Sequence, residues 1–312
     1  MENVTLALNA VFPLFIMMWM GYYLLNKRIL SKAFFEELNK VSFKLFIPVQ
    51  LFFNMYQTDL ESLMNLPLIC FVLVGILGVT LLAILFVSLA YSNSKSKGVI
   101  IQGLFRSNVA LFALPLADSL YGAEALGLTS ALISITIPIF NILSVIILSM
   151  FSGEKTNYPK MIKSILTNPL MISSVLGVAA LLVRLDLPYF MESTLKSFAQ
   201  VSTPLILMCV GSTIDFAMLK NNFQKIAVVT VGKLAVVPAM MLIVAYALGF
   251  RNVELAIVLS IFATPVAVNS YTIAKQLRVD PELAGQIVVA TSAFSSITIF
   301  LWIFLLKTLG IF

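Results

Sequence analysis

Residues 106–122 read RSNVALFALPLADSLYG and lie within a run that is otherwise apolar enough to sit in lipid. Asn108, Pro115 and Asp118 each cost free energy in hydrocarbon, because no water is present there to satisfy a polar side chain or a freed backbone carbonyl. A polar interruption at the centre of an apolar segment is typical of a helix that breaks at a binding site inside a membrane protein.

The composition is that of an integral membrane protein. Of the 312 residues, 60% are hydrophobic and 11% are charged, whereas roughly a quarter of residues are charged in soluble domains. The chain contains no His, and its two Cys residues form neither a CxxC pair nor a disulfide framework. The sequence therefore excludes His-based catalysis and His-ligated metal sites, and it predicts no enzyme activity, no metal and no bound cofactor.

Apolar segments long enough to span a bilayer recur along the whole chain and predict ten transmembrane helices. Their predicted bounds are 4–25, 35–57, 66–90, 98–120, 125–151, 161–183, 193–214, 226–249, 254–275 and 284–308. If the N-terminus is outside, the cytoplasmic loops hold 12 basic residues and the remaining loops hold only Arg184 and Arg251. The cytoplasmic set is Lys27, Arg28, Lys32, Lys95, Lys97, Lys155, Lys160, Lys163, Lys220, Lys225, Lys275 and Arg278. The positive-inside rule therefore predicts that both termini face outward, and with the charges in short loops we expect no nucleic-acid partner.

The two halves of the chain resemble each other at a shift of 156 residues. Between positions 13 and 65 the shift gives 14 identities in 53 positions, where roughly one in ten would match by chance in so apolar a composition. The matches other than Leu, Ile and Phe are Pro13 with Pro169, Gly21 with Gly177, Arg28 with Arg184, Glu36 with Glu192, Lys40 with Lys196, Pro48 with Pro204, Asp59 with Asp215, and Asn65 with Asn221. Since five helices per copy is an odd number, the second copy enters the membrane inverted. The sequence therefore predicts an all-α fold of 5+5 inverted repeats, residues 1–151 and 161–312.

The fourth and ninth spans are where the two repeats are expected to break and cross near the middle of the bilayer. The ninth span reads ATPVAVNSYTIAKQL from Ala263, so both spans carry a proline and short polar side chains. Proline removes a backbone donor, and a break is tolerated where a polar cavity satisfies the freed groups. The second half of each broken helix would then present N–H groups and a positive dipole end to an anion.

The candidate substrate-binding residues lie at these two breaks and beside them. They are Asn108, Pro115, Thr264, Pro265, Asn269 and Ser270, with Asn141 of the fifth span and Lys233 of the eighth. The ionisable residues Arg106, Asp118 and Lys275 are candidates for ion coupling or a proton relay. For Arg106, Lys275 and Lys233 the alternative is a side chain that reaches the membrane interface. For Asn141 the alternative is a contact between helices, and for the prolines it is a simple kink.

Ten spans, an outward N-terminus, SNVALFALPLADSLYG in the fourth span and ATPVAVNSYTIAKQL in the ninth resemble the bacterial branch of the auxin efflux carrier family. The resemblance covers essentially the whole chain, and the bile-acid sodium symporters also cross broken fourth and ninth helices. It implies crossover positions at Asn108, Pro115, Pro265 and Asn269. It also implies a scaffold of helices 1, 2, 6 and 7 that forms a homodimer, and a moving transport unit of helices 3–5 and 8–10. The scaffold covers about 4–57 and 161–214, and the transport unit about 66–151 and 226–308.

The resemblance implies a secondary transporter of small organic anions in the plasma membrane, working by elevator-type alternating access. The implied substrates are carboxylates such as malate or malonate, or an auxin-like acid, and coupling to H⁺ or Na⁺ is left open. Two alternatives are a sodium-coupled symporter of the bile-acid type and a membrane anion sensor that does not transport. The ninth span offers Thr264, Asn269 and Ser270 at the crossover but no Glu, which weakens the sodium alternative.

Overall fold

The computed structural model describes residues 2–57, 65–91, 94–152, 167, 169–212 and 222–311. Within these ranges the regular elements are helices, joined by one isolated antiparallel bridge. The α-helices are α1 (Glu2–Asn26), α2 (Lys32–Val41), α3 (Ile47–Tyr56), α4 (Leu66–Ala90), α5 (Ser94–Phe105), α6 (Val109–Tyr121), α7 (Ala123–Ser152), α8 (Pro169–Leu182), α9 (Tyr189–Ser212), α10 (Phe223–Val231), α11 (Val237–Ala247), α12 (Val253–Phe262), α13 (Asn269–Gln276) and α14 (Pro281–Thr308).

Helices occupy each of the ten predicted spans, and in the described part of the chain four segments are long and apolar enough by themselves to cross a membrane. These four are Leu66–Ala90, Ala123–Phe151, Phe223–Ala247 and Pro281–Thr308. The chain is therefore consistent with a membrane protein, while the ten-span count and the inverted 5+5 arrangement stay predictions. Of the predicted loop and repeat residues, Asp59, Lys155, Lys160, Lys163, Asp215, Lys220 and Asn221 lie outside the described residues.

Among the described residues, two π-helical turns interrupt otherwise continuous helices. One is Ser42–Phe46 between α2 and α3, and the other is Gly232–Val236 between α10 and α11. A proline follows each turn closely, and because proline has no N–H, the carbonyl four residues before it loses its donor. For Pro238 that carbonyl belongs to Leu234, and the indole N–H of Trp302 in α14 donates to it at 2.9 Å. The second π turn is therefore stabilised by a side chain from another helix.

Helix ends recur at the 156-residue shift. α1 ends at Asn26 and α8 ends at Leu182, 156 residues later. The matched residues Arg28 and Arg184 follow these ends with φ of 56° and 50°, the left-handed backbone that closes a helix. The two copies therefore leave their first helix through the same local conformation.

Close helix contacts recur at the same shift. A Cβ added at Gly21 in α1 would overlap the backbone of Met208 in α9. A Cβ added at Gly177 in α8 would lie 3.0 Å from the carbonyl oxygen of Phe52 in α3. Gly177 follows Gly21 by 156 residues, and Met208 follows Phe52 by the same number. The contact between α1 and α9 therefore matches the contact between α8 and α3. Small residues allow such close approach of membrane helices.

The broken fourth and ninth spans lie at the centre of the molecule. Every residue from 109 to 117 in α6 and from 255 to 262 in α12 is buried. α6 packs on α7 and α12, while α1, α3, α8 and α9 pack mainly on one another. A short helix that is apolar on all sides is stable only when other helices surround it. The packing therefore places the two breaks in the protein interior, away from lipid.

Candidate functional site

The fourth span breaks at residues 106–108. α5 ends at Phe105 and α6 begins at Val109. Pro115, which the sequence predicts at the break, lies inside α6, six residues beyond Val109. A proline inside a helix removes one hydrogen bond, and α6 continues to Tyr121 in spite of it. The fourth span therefore breaks as predicted, but the break lies before α6 rather than at the proline.

The ninth span breaks over residues 263–268, between α12 and α13. Pro265 lies within this break, and Asn269 is the first residue of α13. The second break is therefore longer than the first and contains its proline, as the sequence predicts.

The two breaks meet. Ser107 and Val266 form the isolated antiparallel bridge, and the Asn108 backbone N–H donates to the Pro265 carbonyl at 2.8 Å. The Val266 N–H donates to the Thr291 hydroxyl of α14 at 3.1 Å. Buried backbone groups need partners, and here the ninth break supplies an acceptor to the fourth, while α14 supplies an acceptor to the ninth. The bridge therefore fixes the crossing point of the two helices.

Arg106 lies in the first break and is 4% exposed. Its guanidinium donates to the Phe140 carbonyl at 3.2 Å, the Ser144 hydroxyl at 2.6 Å and the Asn141 side-chain carbonyl at 2.7 Å. All three acceptors are neutral and belong to α7. Among the described residues the one ion pair joins Lys40 to Glu37, so Arg106 has no acidic partner there. The side chain does not reach a membrane interface, and its charge is buried at the crossover.

Lys233 lies in the second π turn and is fully buried. Its ammonium donates to the Ser107 hydroxyl and, at 3.2 Å, to the carbonyl of Phe262. Phe262 is the last residue of α12, where the helix dipole places partial negative charge. The lysine therefore contacts both broken spans, at Ser107 and at Phe262, and does not reach the cytoplasmic interface.

A cavity of about 60 Å³ adjoins the crossing, which gives room for a few water molecules. Its lining comes from both breaks, from α7 and from the first π turn, and consists of Phe43, Arg106, Ser107, Asn108, Val109, Ala110, Ile137, Phe140, Asn141, Ala267, Val268 and Asn269. Three predicted binding residues, Asn108, Asn141 and Asn269, meet here together with Arg106. None of the residues that line this cavity is acidic.

Hydrogen-bond donors without partners lie at the cavity. The amide nitrogen of Asn108 and the Nε of Arg106 are buried and have no acceptor among the residues that the structure describes. Val109 and Ala110 belong to the first turn of α6, whose N–H groups have no carbonyl acceptor within the helix. The first turns of α6 and α13 also bring the positive ends of two helix dipoles to the same place. The cavity can therefore bind an anion.

Other predicted residues lie beside the crossing but outside the cavity lining. Thr264 is buried, and its hydroxyl donates to the Ile261 carbonyl at 3.4 Å. Ser270 is buried, and its hydroxyl has no partner. Pro115 and Lys233 are also absent from the lining.

Two of the three residues predicted to serve ion coupling or a proton relay, Asp118 and Lys275, do not contact each other. Asp118 and Lys275 are both exposed and form no ion pair with each other in the described part of the chain. The Lys275 ammonium lies 5.7 Å from the ring centroid of Tyr271 instead. Direct pairing of the two residues therefore has no support in this conformation.

The sequence predictions omit Ser107, which forms the bridge and lines the cavity, and three further site residues. Ser144 accepts from Arg106, Thr291 accepts from the second break, and Phe43 lines the cavity from the first π turn. Ser144 had a usable signal, because it lies three residues after Asn141 and so shares its helix face. Phe43 and Thr291 lie in apolar or small-residue runs, and the sequence around them contains no such signal.

Comparisons with known proteins cover almost the whole chain. The family described as membrane transport protein matches residues 6–161 and 155–303. An uncharacterised transporter of Methanothermobacter thermautotrophicus is 22% identical over 298 residues, which is 94% of this chain and 96% of that protein. An uncharacterised transporter of Methanocaldococcus jannaschii is 21% identical over 308 residues, or 95% of this chain and 97% of that protein. Among the described residues, no group of His, Cys, Asp and Glu side chains could hold a metal ion.

Proposed function

The chain belongs to the auxin efflux carrier family of membrane transport proteins, and from that premise we propose that it is a secondary carrier of small organic anions. It is a multi-pass membrane protein. The substrates that fit the proposal are carboxylates such as malate or malonate, bound where the two broken helices cross. An auxin-like acid is the bulkier alternative, and a cavity of about 60 Å³ favours the smaller acids.

The observation that carries the proposal is the buried guanidinium of Arg106, which has no acidic partner among the described residues. Burying an unpaired charge is costly, so such a group is expected to face an opposite charge at some stage of its work. A carboxylate in the cavity would supply it. Asn108 and the first turn of α6 lie beside Arg106 and would bind the carboxylate oxygens through N–H groups.

The packing supports alternating access between two units. Phe43 reaches the cavity from the second span, whereas the other lining residues come from the fourth, fifth and ninth spans. The proposed scaffold of helices 1, 2, 6 and 7 would stay fixed as a homodimer in the plasma membrane with both termini outside. The transport unit of helices 3–5 and 8–10 would carry the cavity past Phe43 in an elevator-type movement.

The sodium-coupled alternative is disfavoured by the charges at the crossing. Na⁺ prefers oxygen ligands and is bound best beside carboxylates, but the crossing has the cationic side chains of Arg106, in the first break, and of Lys233, which contacts both breaks from the second π turn. A sodium ion beside these two cations would be repelled. Coupling to H⁺ remains part of the proposal, with no residue assigned to it.

Uptake into liposomes tests the proposal against the anion-sensor alternative. Purified protein would be reconstituted and loaded with unlabelled malonate, and entry of labelled malonate would be followed by filtration. We expect exchange that malate inhibits and that malonamide, a neutral analogue of the same size, does not inhibit. Malonate binding without flux would identify a sensor. Equal inhibition by malonamide would contradict an anion site.

A further inference from the structure

Lys233 places a second positive charge at the crossing, behind the cavity wall. Its ammonium donates to the hydroxyl of Ser107, and Ser107 itself lines the cavity. Arg106 lines the cavity and bonds to α7, while Lys233 comes from the second π turn and does not line the cavity. The crossing therefore contains two cationic side chains, at Arg106 itself and in contact with the neighbouring Ser107.

We propose that Lys233 is a specificity-determining residue that sets the charge of the bound anion, favouring a dianion over a monoanion of equal size. This inference rests on the proposed function, because it concerns the same anion site. Arg106 supplies the charge that any carboxylate needs, and Lys233 supplies the additional field that a second carboxylate uses. Lys233 does not touch the anion. Its charge acts on the anion across Ser107, which lines the cavity.

The charge balance supports this role. The cavity lining contains Arg106 and no acidic residue, and among the described residues the acceptors of Lys233 are neutral, the Ser107 hydroxyl and the Phe262 carbonyl. The negative end of the α12 dipole offsets part of one charge at most. A bound dianion would neutralise the two side chains, whereas a monoanion would leave one positive charge uncompensated in a medium of low polarity.

The position of Lys233 is held by the fold. Lys233 is buried within the π turn Gly232–Val236, and the indole of Trp302 donates to the carbonyl that Pro238 leaves without a donor. Lys44 lies in the other π turn, Ser42–Phe46, and is exposed. The same side chain in the same kind of turn therefore has two environments, and Lys44 is a matched control.

The test compares malonate with malonamate, its monoamide, which has nearly the same size and one charge fewer. Binding of each is measured by thermal shift on purified wild-type protein and on the Lys233→Met, Lys233→Gln and Lys44→Met variants. In the wild type we expect malonate to bind more tightly than malonamate. In both Lys233 variants we expect the ratio of the two affinities to fall by about tenfold to hundredfold, from the loss of one charge close to the site. Lys44→Met should leave the ratio unchanged.

The outcomes separate this inference from the proposed function. If the wild type binds neither compound, the proposed function fails. If the wild type binds both with equal affinity, the inference fails and the anion carrier stands. If a Lys233 variant binds both compounds more weakly but keeps the wild-type ratio, Lys233 only supports the structure and the inference is overturned. Lys233→Gln keeps a hydrogen-bond donor, so it measures the charge even if Lys233→Met folds poorly.

Discussion

The breaks in the fourth and ninth spans perform the same task by opposite means. In the fourth span a side chain of the break itself reaches out, because Arg106 donates to three acceptors on α7. In the ninth span the neighbours reach in, since Lys233 donates to the Phe262 carbonyl and Thr291 accepts from the Val266 N–H. The first break is short and lacks a proline, and the second is longer and contains Pro265.

Because of this difference, we expect the fourth break to serve binding and the ninth break to serve structure. Each of residues 106–108 lines the cavity, whereas the ninth break contributes only Ala267 and Val268 to it. The fourth break therefore presents its functional groups to the ligand, and the ninth break is held in place so that the crossing point does not move. Substitutions in the fourth break should weaken binding, and those that support the ninth should lower stability.

The largest expected effect follows from Arg106→Met. Removing one partner of a buried charge interaction costs about 2 to 5 kcal/mol, so malonate affinity should fall at least about thirtyfold and uptake should become undetectable. The protein should still fold, because replacing a buried charge by an apolar side chain is often neutral. Uptake in proteoliposomes and thermal denaturation measure the two effects. Arg184→Met, which removes an exposed arginine, should transport normally, and wild-type uptake by Arg106→Met would remove the basis of the comparison.

Asn108→Ala and Asn269→Ala should come next, with unequal effects. A hydrogen bond to a charged group contributes about 1.5 to 3 kcal/mol, or roughly tenfold to hundredfold in affinity. Asn108 is buried with an unpartnered amide nitrogen, whereas Asn269 is exposed. We expect Asn108→Ala to reach the upper part of that range and Asn269→Ala to lie at or below its lower end. Half-saturation constants for uptake give both values, and a larger loss at Asn269 would reverse the assignment of roles.

Thr291→Val should lower stability more than affinity. The substitution keeps the shape but leaves the buried Val266 N–H without an acceptor, which costs about 1 to 3 kcal/mol. The melting temperature in detergent should fall by several degrees, with malonate affinity within about threefold of wild type. Thr298→Val on the same helix, whose hydroxyl bonds only within α14, is the matched control. An unchanged melting temperature with lost affinity would place the ninth break in the binding site.

The smallest effect is expected from Pro115→Ala. Since α6 continues through Pro115, alanine would restore the N–H that the Leu111 carbonyl lacks, and a proline inside a helix costs about 3 kcal/mol. Uptake should stay within about twofold of wild type while the melting temperature rises or holds. Loss of uptake at normal expression would mean that the proline, and not residues 106–108, defines the functional break.

The sequence pattern located the two breaks in the right spans. Polar side chains such as Asn108 and Asn269 are costly in lipid, so their presence in an apolar segment indicates a functional or structural role. The pattern assigned both Asn108 and Pro115 to the first break and did not choose between them, because no proline or glycine lies in residues 106–108. There the helix ends through tertiary contacts, from Arg106 to α7 and from the Asn108 N–H to Pro265. Such contacts join segments far apart in the chain and leave no local signal.

The direction of the Lys233 side chain could not be predicted from the sequence either. A lysine eight residues into a predicted span can extend to the interface or turn inward, and helical periodicity favours neither. In the structure Lys233 is buried in a π turn whose Leu234 carbonyl accepts from the indole of Trp302, 68 residues away in the chain. The 156-residue repeat, in contrast, was visible in Pro, Gly and Arg positions, because helix ends and close contacts constrain residue type directly.

The bond from Trp302 to the Leu234 carbonyl gives the molecule an optical reporter of its own crossing. The chain has two tryptophans, and the other one, Trp19, is exposed and stacked on Tyr23. Replacing Trp19 by Phe would leave a single indole whose N–H is tied to the π turn that holds Lys233. Its emission wavelength depends on that hydrogen bond and on nearby charge, so a stopped-flow trace of unlabelled protein would record the arrival of an anion in real time.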